Sequence, residues 1–93
     1  VSEPTQLHLS ERPEWFTYGY WPTWTWYAAL RLAARVEWSE GYFQWVASVN
    51  NCGHHKEAPE RFDFMTDAMD WCEAEVKAAL KRRMERAKKR GAK

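Results

Sequence analysis

The chain has 93 residues, enough for one domain with a single core, and its 14 Lys and Arg against 13 Asp and Glu leave a net charge of +1. That balance excludes a uniformly basic nucleic-acid protein and an acidic disordered chain, while 45% hydrophobic residues and seven tryptophans argue for a folded globule with large rings to bury. No apolar run approaches the roughly 18 residues of a membrane span, no signal peptide opens the sequence, and Cys52 and Cys72 make no disulfide framework, so the expectation is a cytoplasmic protein without a membrane.

Residues 1–14 carry two prolines and little apolar content, and read as an irregular lead-in. Residues 15–27 hold eight aromatics. Phe16, Tyr18 and Tyr20 alternate with Trp15, Thr17, Gly19 and Trp21, which predicts a short strand over 15–21 that Pro22 ends, because proline cannot donate to a ladder. Trp24, Trp26, Ala28, Leu30, Leu32, Ala34, Val36 and Trp38 then fall on even numbers, with more polar residues between them. That period of two predicts one half-buried strand over 24–38. Glu40-Gly41 reads as a tight turn, and Phe43, Trp45, Ala47 and Val49 alternate through a second strand over 42–49. With that turn, Trp38 faces Phe43, Val36 faces Trp45 and Ala34 faces Ala47, so both apolar sets meet on one face of a hairpin. Tyr27, Arg31, Arg35, Tyr42 and Gln44 fall on the other face.

Residues 50–65 read as a polar loop. Thr66 then caps a helix over 67–90 with Asp67 and Asp70 in its first turns. Ala68, Cys72, Val76, Ala79, Leu80 and Met84 recur at spacings of three and four and form its apolar stripe. The expected architecture is therefore α+β: a small antiparallel sheet of two or three strands, in ββ(β)α order, covered on one face by one long C-terminal amphipathic helix.

Charge is unevenly placed. Residues 77–93 carry +8 and residues 1–76 carry −7. In the tail, Arg82, Arg83, Arg86, Lys89 and Arg90 are candidate phosphate contacts, joined on the outer sheet face by Tyr27, Arg31 and Arg35 for stacking and charge. The plain alternative is a solvated helix end that complements the macrodipole. Glu57, Glu60, Asp63, Asp67 and Asp70 begin an acidic run spaced to make a ridge, such as can occupy a groove built for phosphate, or simply an ordinary charged helix start. Trp15, Phe16, Tyr18, Tyr20 and Trp21 exceed what one helix can cover, and are candidate anchors for a protein partner or for a second copy of the chain.

Signals for chemistry are weak. There is no glycine-rich phosphate loop, no nucleophile elbow and no pair of histidines one helical turn apart, so an enzyme is not expected. Cys52, His54, His55 and Cys72 fit no standard zinc spacing, and neither a metal nor another cofactor is expected.

The run YAALRLAARVEWSEGYFQWVASVN followed by FDFMTDAMDWCEAEV, with Phe62, Thr66, Ala68 and Trp71 at the helix start, resembles small orphan proteins of bacteriophages and prophages. That pool includes anti-CRISPR and other host-takeover inhibitors. The resemblance covers about residues 27–80 and implies a phage-encoded, non-enzymatic protein that binds a nucleic-acid-handling complex of a bacterial host and blocks it. No site residue carries over with it. The alternatives from the residues themselves are a small nucleic-acid-binding module or an aromatic-mediated homodimer.

Overall fold

A computed structural model describes residues 6–9, 11–18 and 23–91. Among these residues six strands, β1 (Gln6–Leu9), β2 (Arg12–Tyr18), β3 (Thr23–Ala29), β4 (Leu32–Ser39), β5 (Gln44–Asn51) and β6 (His54–Glu57), precede one helix, α1 (Met65–Gly91). The strands form a single antiparallel meander in chain order. The class is α+β as expected, but the sheet has six strands rather than two or three.

The single strand expected over 24–38 is two strands. Trp24 pairs with Val36 and Trp26 with Ala34 around a turn at Leu30 and Arg31. These paired numbers sum to an even value, so the even-numbered apolar residues of the two strands share one face, although the ladder slips between Tyr27 and Ala29 and Leu30 in the turn is exposed. Arg31 takes a left-handed φ of 55° there. Length alone argues for the break, because 15 residues exceed the usual 3 to 10 of a strand.

The next hairpin is shifted by two residues from its expected register. Trp38 pairs with Trp45, Val36 with Ala47 and Ala34 with Val49, with Ser39 opposite Gln44. The connection is therefore Glu40–Phe43, and Phe43, not Gly41, carries the positive φ, at 51°. A shift of two preserves the buried face of the paired residues, whereas Leu30 and Phe43, expected on that face, lie in turns and are 84% and 76% exposed.

Two further segments expected to be irregular are strands. Within 1–14, β1 pairs with β2, and Pro13 sits where that ladder slips between His8 and Leu9. Within 50–65, β6 pairs with β5 from His54 opposite Asn51 to Glu57 opposite Ser48. Of the strand expected over 15–21, residues 15–18 belong to β2 and 19–21 lie outside the described residues.

The core is asymmetric in size. At its centre small residues face each other: Ala34, Val36 and Ala47 on the sheet, Ala68, Cys72, Val76 and Ala79 on the helix, all buried. Small side chains let α1 lie close to β4 and β5, and the Cys72 sulfur reaches 3.6 Å from the Ser48 carbonyl and 3.8 Å from that of Arg35. Tryptophans pack around this centre. Trp15 is fully buried 5.9 Å from Trp26, and Trp38 meets Trp45 edge-on at 5.2 Å. Phe62 is bonded to Trp45 through both backbone groups, which delivers the chain to the start of α1. That helix opens at Met65, with the Phe64 carbonyl accepting from Ala68, so Thr66 lies inside the first turn rather than ahead of it.

Trp45→Ala is expected to cost about 3–5 kcal/mol, since its ring is 8% exposed. Phe64→Ala, at 68% exposed, is expected to change stability by no more than about 0.5 kcal/mol. Urea unfolding followed by far-ultraviolet circular dichroism compares the two.

Candidate functional site

Burial decides first which candidates are accessible. Trp15 is 0% exposed and its indole N–H donates to Glu73 at 3.0 Å, and Phe16 is 8% exposed. These two rings are part of the fold and do not offer anchors to a partner or to a second copy. The side chain of Tyr18, and Tyr20 and Trp21 entirely, lie outside the described residues.

Much of the acidic run is engaged internally. Arg12, from the segment expected to be irregular, donates to Asp70 and Glu73, each at 2.6 Å. Hydrogen bonding to Asp70, and then to Glu73, holds the Arg12 guanidinium above its ordinary pKa against the opposing effect of burial. Lys56 of β6 reaches Glu75 at 3.0 Å, and Asp63 accepts from Gln44 at 2.9 Å. The helix is thus tied to β2 on one flank and to β6 on the other. Glu57, Glu60 and Asp67 remain exposed, while the salt bridges neutralise the end of the run, at Asp70, Glu73 and Glu75.

The basic end behaves differently. Arg83 belongs to the fold: it donates to the Leu30 carbonyl at 2.9 Å and to the Asn51 side chain at 2.6 Å, with the Cys52 sulfur at 3.5 Å. This corrects its expected role as a free phosphate contact. The Cys52 amide donates to the Arg31 carbonyl at 2.7 Å, so the β3–β4 and β5–β6 turns and the helix meet at one end of the sheet. Beyond that junction residues 84–91 are all exposed. Arg82, Arg86, Lys89 and Arg90 follow at i, i+4, i+7 and i+8 and form one cationic stripe about 12 Å long.

Among the described residues, no helix covers the sheet face away from α1. Thr25 and Tyr27 of β3, Arg35 and Glu37 of β4, Ser48 and Asn50 of β5 and His55 of β6 line a concavity of about 580 Å³. Arg35 Nε forms an ion pair with Glu37 at 2.8 Å. Tyr27 is 64% exposed and rests against Phe16, with centroids 5.6 Å apart. Tyr27 and Arg35 therefore lie on the face the alternation assigned, whereas Arg31 sits in the turn at its edge. Tyr42 also leaves the face: it lies in the β4–β5 connection, with the Arg61 guanidinium 3.5 Å from its ring centre. Nothing in the alternation marked the helix ties of Arg12 and Arg83, which depend on strands and turns distant in sequence.

The cysteines and histidines are separated. Cys72 is buried between helix and sheet, while Cys52, His54 and His55 are exposed at the β5–β6 hairpin. Among the described residues no group of three or more His, Cys, Asp or Glu gathers as a metal site. None of the helices among the described residues is long and apolar enough to cross a membrane. No family model, no curated protein and no solved structure matches the chain.

Burial pushes the Cys72 thiol up from 9.0 to about 12. The folded state therefore holds this proton more tightly than the unfolded chain. Its contribution is complete below pH 9 and is lost as pH rises from 9 towards 12. Urea unfolding at pH 8 and pH 10.5 should show a larger loss of stability in the wild type than in Cys72→Ala. At pH 8 a thiol reagent should titrate Cys52 in the native protein, and Cys72 only after denaturation.

Proposed function

We propose that the chain is a non-enzymatic nucleic-acid-binding module, in which the exposed end of α1 supplies the phosphate contacts. The observation that carries this is the root of that helix end. Arg83 fixes it against the β3–β4 turn, so the stripe of Arg82, Arg86, Lys89 and Arg90 leaves the body at the end of the sheet that carries Arg31. Cations fixed to a folded body present a directed charge surface to a polyanion, which a frayed terminus does not. Arg82–Arg86 and Arg86–Arg90 are like charges one turn apart, and a bound phosphate backbone relieves their repulsion.

A second reading keeps the chain as a protein-binding inhibitor of a host nucleic-acid-handling complex, in line with the resemblance to phage proteins. It is favoured by the opposite end of the sheet, where Tyr42, Phe43 and Phe64 are each more than half exposed. The two readings differ in which end of the molecule is needed, so Tyr42→Ala with Phe43→Ala leaves nucleic-acid affinity unchanged under the first.

Fluorescence anisotropy with labelled oligonucleotides tests the first reading. With about four phosphate contacts, affinity should fall about 50-fold between 50 and 200 mM salt. Replacing Arg82, Arg86, Lys89 and Arg90 together by Gln should flatten that dependence while the circular dichroism spectrum stays unchanged. No binding at 50 mM salt, or a salt dependence the replacement leaves intact, overturns the proposal.

A further inference from the structure

Resting on the nucleic-acid reading, we infer that the open face holds a stacking site for unpaired nucleobases centred on Tyr27, which makes single strands the preferred ligand. The concavity on this face shares its lining residues Tyr27, Ala33 and Asn50 with a second, of about 340 Å³, which extends to Arg31 and Gly53. Tyr27 thus borders both hollows, which together make a trough, and the second reaches Arg31 of the turn that Arg83 also contacts.

The ring is built as a platform. Phe16 supports it at 5.6 Å, and Phe16 itself is buried, so the tyrosine is held from behind while 64% of it stays open. A supported, exposed ring loses little freedom when a flat ligand stacks on it. The lining around the ring is polar. Thr25 and Ser48 offer hydroxyls. The Asn50 oxygen accepts from the Gly53 amide at 3.0 Å, which orients the side chain and leaves its NH₂ to donate. Arg35 is held through Nε by Glu37, with its terminal amino groups unengaged among the described residues. An apolar ligand would leave these groups unpaired, whereas a nucleobase presents both a flat face and a hydrogen-bonding edge.

A paired base has its faces covered by its neighbours in the stack and its pairing edge occupied. The trough therefore selects bases that are already free, and the helix stripe takes the phosphates of the same strand. Arg31, at the edge of the second hollow, lies between the two.

The test compares a ten-nucleotide oligothymidine with a duplex of equal length in anisotropy titrations at 50 mM salt. Wild type should bind the single strand at least about 10-fold more tightly. Tyr27→Leu should lower single-strand affinity by about 10-fold or more and leave duplex affinity and the salt dependence unchanged. Tyr27→Phe, which keeps the ring, should retain the preference, and circular dichroism confirms that both variants fold. Equal affinity for the two forms with no effect of Tyr27→Leu removes the stacking site and leaves the helix reading standing. Loss of affinity for strand and duplex alike in Tyr27→Leu also removes it. Tyr27-dependent binding that survives neutralisation of the helix stripe supports the stacking site and removes the helix as the phosphate contact. Absence of binding to either form overturns both.

Discussion

The close approach of α1 to the middle of the sheet is the contact on which the rest depends. A helix can lie against β4 and β5 only where the side chains between them are short, and here they are Ala34, Val36 and Ala47 below and Ala68, Cys72, Val76 and Ala79 above. The Cys72 sulfur reaching two strand carbonyls marks how near the two layers come. Bulk is displaced to the flanks, where tryptophans close the gap left by a cylinder on a sheet. Interiors pack at near-crystalline density, so a large residue at any of the central positions would lift the helix and expose those rings. The same closeness raises the thiol pKa, since a buried thiolate would have neither water nor a cation to stabilise it.

Once the helix is placed, the polar groups around it sort themselves. Arg12 on one side and Lys56 on the other draw Asp70, Glu73 and Glu75 into pairs, and the indole of Trp15 shares Glu73. Acids that look like a surface feature along the chain become ties between layers. Arg83 does the same for the basic end, closing the helix onto two turns at once. Surface pairs of this kind add little stability individually, but they fix the helix in rotation as well as position. That fixed rotation determines which cations beyond Ala79 leave the body together and towards which edge of the sheet they point. The face covered by α1 is spent on packing, and among the described residues the opposite face carries the exposed Tyr27 beside Phe16.

Legibility of the fold varied with the range of the interaction. Alternation assigned the buried face of β3, β4 and β5 correctly even though it merged β3 with β4 and misplaced the β4–β5 turn. Both errors move residues by an even number or around an even-sum turn, and period two is blind to such moves. β1, the start of β2 and β6 carried no clear alternation. β1 and β6 are short outer strands, and β2 contains a proline at a slip in the ladder, so neighbours rather than propensity hold them extended. At the site, Tyr27 and Arg35 were legible as outward-facing residues of a strand, and the stripe of Arg82, Arg86, Lys89 and Arg90 was legible as helical periodicity. The roles of Trp15, Arg12 and Arg83 were not, because each depends on a partner more than 30 residues away.

By itself, then, the sequence determined what local periodicity can encode: an α+β chain, a helix from the middle sixties onward with an apolar stripe of small residues, the buried parity of the central strands, and a cationic C-terminal end. Tertiary structure alone decided the number of strands, the register of the hairpins, which aromatics are sealed inside, which acids are neutralised and where the basic helix is anchored. The physical reason is that periodicity is a property of neighbours in the chain, repeated every two or 3.6 residues. Burial, salt bridges and a supported ring on an open face are properties of residues that only folding brings within a few ångströms of one another.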